Sequence, residues 1–395
     1  MILVKSETIQ EYVEKGWWSE QTIGDLFLHW ADRRSSELAV LDPPNQFEIC
    51  GYPPQQWTWH ELLGQVGRYA ALLSSQGLRK DDILVMQLPN SVEQHAIYLA
   101  CAITGIVVSP IPVQYRIHEI SHVMEITQAK LAMTTQHVGN FKAAQMWAEH
   151  AHLFPSLKSI WSLGQELPTG VQSLTALLAQ TKAWDTSQIK DHMKVTNVSA
   201  HDVLTICWTS GTEAKSKGVP RNHNEWLIVG SSVSQAGELE EGAHLLIPFP
   251  FVNMAGVSTS LATWLLIGGT LHHHHPFDLQ LFVDQLRAFP MDYSVAPPAI
   301  LNLLLKEPEK MAGVNLTRLK RIGSGGGPLT EWMMTEMKKK FDIEVVNYFG
   351  SNEGAALSST PLDMPDCGQR ALYFPRMGVP QFNWKMDVAQ KIQTR

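Results

Sequence analysis

The 395-residue chain has only four cysteines, Cys50, Cys101, Cys207 and Cys367, and none has a near partner in sequence. That scatter excludes a disulfide framework and a zinc-knuckle spacing, and a reducing, cytoplasmic home is expected. Charge is sparse as well: 31 Lys+Arg stand against 38 Asp+Glu, a formal net charge of −7 at pH 7. Without a basic surplus there is no footprint for nucleic acid, and an anionic ligand must be held by local groups. Long hydrophobic runs are missing too. The most apolar stretch, Leu261 to Ile267, stops at Gly268-Gly269, too short to span a bilayer as an integral membrane protein. Met1 to Lys15 is polar and charged, unlike a secretory signal. No solenoid repeat is present, and no G-x-x-x-x-G-K-S/T loop.

What the chain does have is alternation. Trp57 to Gly77 carries apolar residues at helical spacing (Leu62, Leu63, Val66, Tyr69, Ala70, Leu73), and Gly77 predicts the stop. Ile83 to Leu88 reads as a buried strand, Ser91 to Ile103 as a helix, and Gly105 to Ile111 as the next strand. The same rhythm returns in strands predicted over Val203–Trp208, His244–Ile247, Tyr293–Ala296, Leu319–Gly323 and Glu344–Tyr348. Helices are predicted over Asn224–Val233, Asp278–Ala288 and Glu331–Phe341. Strands spaced by helices imply an α/β fold with mainly parallel sheets flanked by helices. The polar, weakly patterned stretch from Phe154 to Val198 suggests a boundary. The expected division is an α/β subdomain over 1–198, a second over 199–354, and a small, incomplete β subdomain over 355–395.

Thr209-Ser210-Gly211-Thr212-Glu213-Ala214-Lys215-Ser216-Lys217-Gly218-Val219 follows a predicted strand and precedes a helix predicted from Asn222. Small residues let backbone N–H groups approach an anion, hydroxyls add donors, and lysine adds a point charge. A polyphosphate loop and a plain polar surface loop both fit. Gly323-Ser324-Gly325-Gly326-Gly327-Pro328-Leu329 offers a side-chain-free surface against which a flat ring can lie; a simple turn is the competing reading. Asn347-Tyr348-Phe349-Gly350-Ser351-Asn352-Glu353 brings aromatic faces, a carboxamide and a carboxylate to one strand end. Glu353 suits either Mg²⁺ or a helix N-terminus. Pro248 to Gly256 reads as the lining of a substrate slot through Phe251, Asn253, Met254 and Gly256, although Phe249, Phe251 and Met254 equally suit a core. All these segments follow strands, where open parallel sheets bind ligands. The His272-His273-His274-His275 run looks like a metal site, but no Cys or carboxylate cluster completes a ligand set.

Together these segments resemble the adenylate-forming superfamily of acyl-CoA synthetases, luciferases and peptide-synthetase adenylation domains. Ser210, Gly211, Thr212, Lys217, Gly218 and Val219 match its T-S-G-T-T-G-x-P-K-G signature, and His223 falls where a histidine is usual. The glycine segment resembles S-G-G-x-P-L, and Phe349 to Glu353 resembles Y-G-x-T-E. In the N-terminal half, Trp57 to Leu62, Leu88 to Ser91 and Ala102 to Pro112 are similar to further family elements. Tyr12 to Trp18 is similar to members acting on short- or medium-chain fatty, cyclic or aryl acids.

The resemblance implies two stacked α/β subdomains forming the N-terminal large domain of that fold. It implies ATP, Mg²⁺ and coenzyme A as cofactors, a small carboxylic acid as substrate, and acyl-adenylate formation followed by thioester formation. On this reading Thr209, Ser210, Gly211, Thr212 and Lys217 wrap the β,γ-phosphates. Gly325, Gly326 and Gly327 lie along the adenine, together with Asn347, Tyr348 and Gly350, and Phe349 stacks on the ring. Asn352 meets the α-phosphate, and Glu353 and Thr212 serve the metal and catalysis. Loading of an aryl acid onto a carrier protein and a non-catalytic adenylate-binding role are the alternatives, and a homodimer is one open form of assembly. Departures from the signatures are Glu213 for threonine, Ala214 for glycine, Ser216 for proline, Phe349 for tyrosine and Asn352 for threonine. Asn253 stands where many members have an aromatic residue or histidine. Gly378 to Val388 is similar to the family's V-G-x-P…K-I-V-D segment. The family pattern continues beyond it with a T-G-D element and a mobile lid bearing a lysine. Without those, the chain is expected to bind nucleotide weakly and turn over slowly.

Overall fold

Short apolar runs bounded by Pro, Gly and Asp build a seven-stranded sheet. Its order is Gln172–Ser173, Ser159–Leu163, Leu131–Thr135, Ile83–Gln87, Val107–Pro110, Val203–Trp208 and Gly218–Asn222. All neighbours are parallel except the last pair, which is antiparallel. The structure, a computed structural model, describes residues 1–209, 215–354 and 356–377. This sheet belongs to a unit made of Met1–Ile9, Ser19–Asn224 and Pro250–Asn253; the remainder forms a second unit.

Helix Val92–Thr104 lies wholly inside the first unit. Every residue of it is buried, as an all-round apolar pattern requires. Ser91 caps its start by accepting the Gln94 N–H at 3.3 Å. Gly105, at φ +71°, ends it in the left-handed conformation that glycine adopts without a Cβ penalty. Helix Trp59–Ser75 begins with a reciprocal cap between Thr58 and Glu61 and stops just before Gly77, at φ +79°. Beside the sheet, Trp147, Ile120, Val123 and Phe154 pack with Val85, Ala132 and Trp208 as one core.

Within the second unit the strands run in the order Thr270–His273, His244–Ile247, Tyr293–Val295, Arg321–Gly325 and Glu344–Gly350, all parallel. Ala356–Ser359 and Arg376–Met377 then add antiparallel strands at the edge. Helices Leu279–Ala288, Pro298–Lys306 and Glu331–Phe341 cover these strands. Their apolar faces bury Phe282, Leu286, Leu301, Leu304, Met333 and Met337. Among the described residues, no helix is long and apolar enough to cross a membrane.

Three details differ from the sequence-level expectation. The crossing between units falls at Asn224/Glu225 rather than near residue 198, because Val203–Trp208 pairs with Val107–Pro110 and so completes the first sheet. The weakly patterned stretch Phe154–Val198 contains strand Ser159–Leu163 and helices Leu174–Gln180 and Thr186–Thr196, all of the first unit. Residues 356–377 extend the second unit's sheet, while 378–395 lie outside the described residues.

Candidate ligand site

Parallel strands leave their C-terminal ends open to ligands, and the second unit has a cavity at such ends. Its volume is about 180 Å³. The floor comes from Val295, Gly323 to Gly326 and Tyr348 to Gly350 at three strand ends, and from Ala356 and Leu357 of the antiparallel edge. One wall is the i, i+3, i+4 stripe Val229, Ser232, Val233 of helix His223–Gly237. The other wall is Met254, Ala255, Ser258 and Thr259, with Phe249 beside it. No described lining residue carries a formal charge. The hydroxyls of the second wall turn back on their own helix: Thr259 Oγ1 donates to Ala255 O at 2.6 Å and Ser258 Oγ to the same carbonyl at 3.3 Å. The wall facing the cavity is therefore largely apolar.

The second wall continues into a π-helical stretch, Ser258–Thr263, a widened turn that often accompanies functional sites. Thr263 Oγ1 donates to Ser258 O at 2.8 Å and to Gly230 O at 3.2 Å. Gly230 is needed at this helix crossing, because a Cβ there would meet Ala262 Cβ at 2.6 Å.

The glycines of the strand end have different reasons. A Cβ on Gly325 would lie 2.4 Å from Tyr348 O, and one on Gly323 2.5 Å from Tyr293 Oη. Gly326 is exposed and has φ +75°, a left-handed turn residue. Gly327 is exposed and its nearest obstacle to a Cβ is Pro298 Cγ at 3.8 Å, so nothing in the fold demands glycine there. Gly325 and Gly326 line the cavity, and Gly327 follows just outside its lining.

Tyr348 faces the cavity and accepts the Tyr293 hydroxyl at 2.8 Å; burial pushes the Tyr293 phenol well above its ordinary range. Phe349 is 51% exposed, with Phe374 as a ring neighbour at 6.1 Å. Gly350 completes the lining. Asn347 is buried instead. Its amide donates to Arg370 O at 3.0 Å and Ala371 O at 3.1 Å, where it holds the end of helix Cys367–Leu372. The Asn352 Oδ1 accepts the Met254 N–H at 2.8 Å and so joins the strand end to the cavity wall. Glu353 is exposed and has no hydrogen-bond or ion-pair partner among the described residues. Met254 lines the cavity, whereas Gly256 is buried in the same helix outside the lining.

The remaining candidates lie in the first unit. Phe251 is fully buried there, its ring stacked 4.4 Å from Tyr98 and tilted against His95 at 4.6 Å. Its N–H donates to Asn90 Oδ1 at 2.8 Å, and its carbonyl accepts from Tyr98 Oη at 2.9 Å. These contacts make Phe251 a core residue of its unit, one of the two readings its sequence context allowed. Asn253, two residues on, is half-buried.

Thr209 and Lys217 close the base of a connection. Thr209 N–H donates to Lys217 O at 3.0 Å, Lys217 N–H donates to Thr209 Oγ1 at 3.0 Å, and Ser216 Oγ donates to Thr209 O at 2.6 Å. The connection joins antiparallel strands, Trp208 opposite Gly218, so it is a hairpin and not the strand–loop–helix turn expected from sequence. Helix His223–Gly237 starts only after the second hairpin strand. A Cβ on Gly218 would lie 2.9 Å from Ile206 Cγ2, which explains that glycine by cross-strand packing. Ser210, Gly211 and Thr212 lie outside the described residues.

Within the run of four histidines, His272 and His274 take protein partners. His272 Nε2 lies 3.1 Å from His244 Nδ1, and His274 Nδ1–H donates to Gln285 Oε1 at 2.7 Å while its Nε2 accepts Asp278 N–H at 3.0 Å.

Mainly parallel sheets flanked by helices, with an uncharged cavity at strand ends, make this an α/β protein. Residues 27–391 match the AMP-binding enzyme family, and the chain belongs to that family. It is 23% identical over 364 residues to the medium-chain fatty-acid–CoA ligase of Escherichia coli (strain K12), covering 90% of this chain and 59% of the relative. It is 23% identical over 323 residues to an uncharacterized acyl–CoA ligase of Bacillus subtilis (strain 168), covering 79% of this chain and 56% of that protein. The chain thus spans little more than half the length of these relatives. Among solved structures, the N-terminal domain of FACL13 from Mycobacterium tuberculosis superposes with TM-score 0.70 at 20% identity, over 89% of this chain and 81% of that one. A long-chain-fatty-acid–CoA ligase from Archaeoglobus fulgidus gives TM-score 0.74 at 15% identity, over 90% and 70%. The fold is that of the N-terminal domain of adenylate-forming enzymes.

Proposed function

We propose that this chain carries the nucleotide- and acid-binding portion of an AMP-forming acid–thiol ligase. The observation that carries the reading is the uncharged cavity of about 180 Å³ bordered by the bare backbone of Gly325 and Gly326 and by Tyr348 and Phe349. An apolar slot beside an aromatic, side-chain-free shelf suits an acyl chain joined to a purine nucleotide. Family membership and two relatives named as CoA ligases support the same reading.

On this proposal the half-exposed ring of Phe349 and the backbone at Gly325, Gly326 and Gly327 hold the adenine. Ser210, Gly211, Thr212 and Lys217 hold the β,γ-phosphates, and Thr209 closes the base of their connection. Asn352 meets the α-phosphate. The substrate carboxylate attacks the α-phosphorus, the bond to the β-phosphate oxygen breaks, and pyrophosphate leaves with that electron pair. A thiol, coenzyme A on this proposal, then attacks the acyl carbon, and AMP leaves as its phosphate oxyanion. The protein's part is to align the reactants and screen the developing charge. The exposed Glu353 carboxylate fits a hard divalent cation, and with Thr212 it would hold Mg²⁺, which supplies charge neutralisation on the phosphates. The small, uncharged cavity favours a short- or medium-chain fatty, cyclic or aryl acid.

Calorimetric titration of the chain with acylsulfamoyl adenosines of increasing acyl length tests the reading. Binding with an optimum at a short or medium chain is expected. Val233→Trp, which fills the cavity, moves that optimum to shorter acyl groups, and Phe349→Ala weakens every member of the series alike. Absence of binding by the unaltered chain, or an optimum that Val233→Trp leaves in place, overturns it.

A further inference from the structure

The base of the hairpin connection is held by Thr209, Ser216 and Lys217, and one contact reaches it from another element of the same unit. His122, on helix Ile117–Thr127, places Nε2 2.8 Å from Ser216 O. A carbonyl only accepts, so Nε2 carries the proton and donates. Trp208, the last residue before the connection, meets the imidazole edge-on at 5.9 Å and 68°, which limits how the ring can swing.

The consequence falls on one peptide bond. The C=O of Ser216 and the N–H of Lys217 belong to the same planar unit. His122 holds the C=O, and Thr209 Oγ1 holds the N–H at 3.0 Å. A planar group pinned at both polar ends cannot rotate, so the direction in which the Lys217 side chain leaves the backbone is fixed. Ser216 also stands where the signature that this loop resembles has proline, whose ring would lock φ covalently. Here hydrogen bonds supply the stiffness that the ring would otherwise provide.

We propose that His122 is a positioning residue: by clamping the Ser216–Lys217 peptide it aims the Lys217 ammonium at the terminal phosphates of the bound nucleotide. This rests on the phosphate-binding role proposed above for Lys217. His122 touches neither nucleotide nor acid; it acts through the peptide. Removing the clamp leaves the lysine charge in place but lets it sample more directions, which lowers affinity for polyphosphate without removing a binding group.

The test measures MgATP affinity by calorimetry, and melting temperature, on the full chain. His122→Phe keeps a flat ring and loses the donor. It is expected to weaken MgATP by roughly tenfold, the scale of one hydrogen bond's worth of order, with AMP affinity little changed because AMP lacks the β,γ-phosphates. His122→Gln retains a donor and is expected to stay near the unaltered value. Ser216→Pro placed in the His122→Phe background is expected to recover affinity. Should His122→Phe fail to fold, His122→Met against His122→Gln decides in the same way. If Lys217→Ala weakens MgATP and His122→Phe does not, the clamp is wrong and the phosphate role of Lys217 stands. Equal losses in His122→Phe and His122→Gln, or equal losses of MgATP and AMP, also overturn the clamp. If neither Lys217→Ala nor His122→Phe changes MgATP affinity, both proposals fall.

Discussion

The side-chain oxygen of Asn352 accepts the backbone N–H of Met254 at 2.8 Å. One residue of the strand-end segment thereby holds the first turn of the helix that walls the cavity. Replacing it with alanine strands a donor at a buried residue, which costs about 1–3 kcal/mol. Asn352→Ala is expected to lower the urea midpoint accordingly. Asn352→Asp keeps an acceptor for Met254 but sets a negative charge where the proposed α-phosphate lies. It is expected to retain most of the stability and lose adenylate affinity. A variant pair in which stability and affinity fall together would reduce Asn352 to a purely structural tie.

Gly325 and Gly327 separate packing from binding in the same way. A Cβ at Gly325 runs into a backbone oxygen at 2.4 Å, and backbone cannot yield as a side-chain tip can. Gly325→Ala is expected to destabilise by roughly 1–3 kcal/mol. Gly327 has room for a methyl group, so Gly327→Ala is expected to leave the melting temperature almost unchanged. If the bare backbone is a shelf for adenine, Gly327→Ala still weakens AMP binding, measured by calorimetry. Unchanged AMP affinity would restrict the shelf to Gly325 and Gly326.

The contrast between these glycines also shows what the sequence made legible. Val203–Trp208, His244–Ile247 and Glu331–Phe341 form over the residues that their periodicity predicts. Leu131–Thr135 and Ser159–Leu163 do not announce themselves, because Thr134, Thr135 and Ser162 are buried polar residues that interrupt the apolar run. They are strands because parallel neighbours take their backbone groups on both sides. The glycine-rich strand end reads from composition as a bare surface, and Gly323, Gly325 and Gly326 do line the cavity. The walls are not legible in that way: Ser258 and Thr259 look polar until their hydroxyls are seen turned onto Ala255 O, and the π-helical stretch breaks the spacing by which a helix face is recognised. Phe251 shows the opposite limit, since an aromatic residue in a turn-rich segment suits a slot and a core alike until its neighbours are known.

Buried imidazoles predict acid sensitivity. Burial pulls His223 and His275 down to about 4 and His272 to about 3. The His223 Nδ1 also accepts the Ile23 N–H at 3.1 Å, a role open only to an unprotonated nitrogen. Folding holds these rings neutral, while the unfolded chain takes up protons below its usual value near 6.5. The unfolded state therefore binds more protons between about pH 6.5 and about pH 4, and for His272 down to about pH 3. Their stabilisation is complete above that window and is lost as pH falls through it, by up to roughly 3 kcal/mol for His223 or His275 and up to roughly 5 kcal/mol for His272. Urea midpoints at pH 7.5 and pH 4.5 measure the loss. His223→Gln keeps an acceptor for Ile23 without a titrating nitrogen and is expected to flatten the slope.

Glu93 predicts the reverse dependence. Its carboxylate is buried, with Oε1 accepting Gln55 Nε2–H at 2.6 Å, and burial pushes it up to about 7. Asp42 nearby is also raised, by burial first and by the Glu93 charge second, although its oxygens accept Val92 N–H at 2.8 Å and Gln55 N–H at 2.9 Å. The two carboxylates share one buried site, which opposes ionising both, and burial raises Glu93 far enough to hold a proton in the folded state below about pH 7. Between the unfolded value near 4.5 and about 7, the folded chain binds the extra proton. Stability from this group is thus full at low pH and is lost as pH rises through that range, on the order of 3 kcal/mol at most. Glu93→Gln has nearly the same shape and never ionises. It is expected to raise the melting temperature at pH 8 and to change it little at pH 5. It is also expected to let Asp42 ionise without an opposing charge. A variant that is destabilised equally at both pH values would mean that the Glu93 carboxylate is charged in the folded chain and contributes a specific ionic contact, contrary to the buried, protonated state argued from its surroundings.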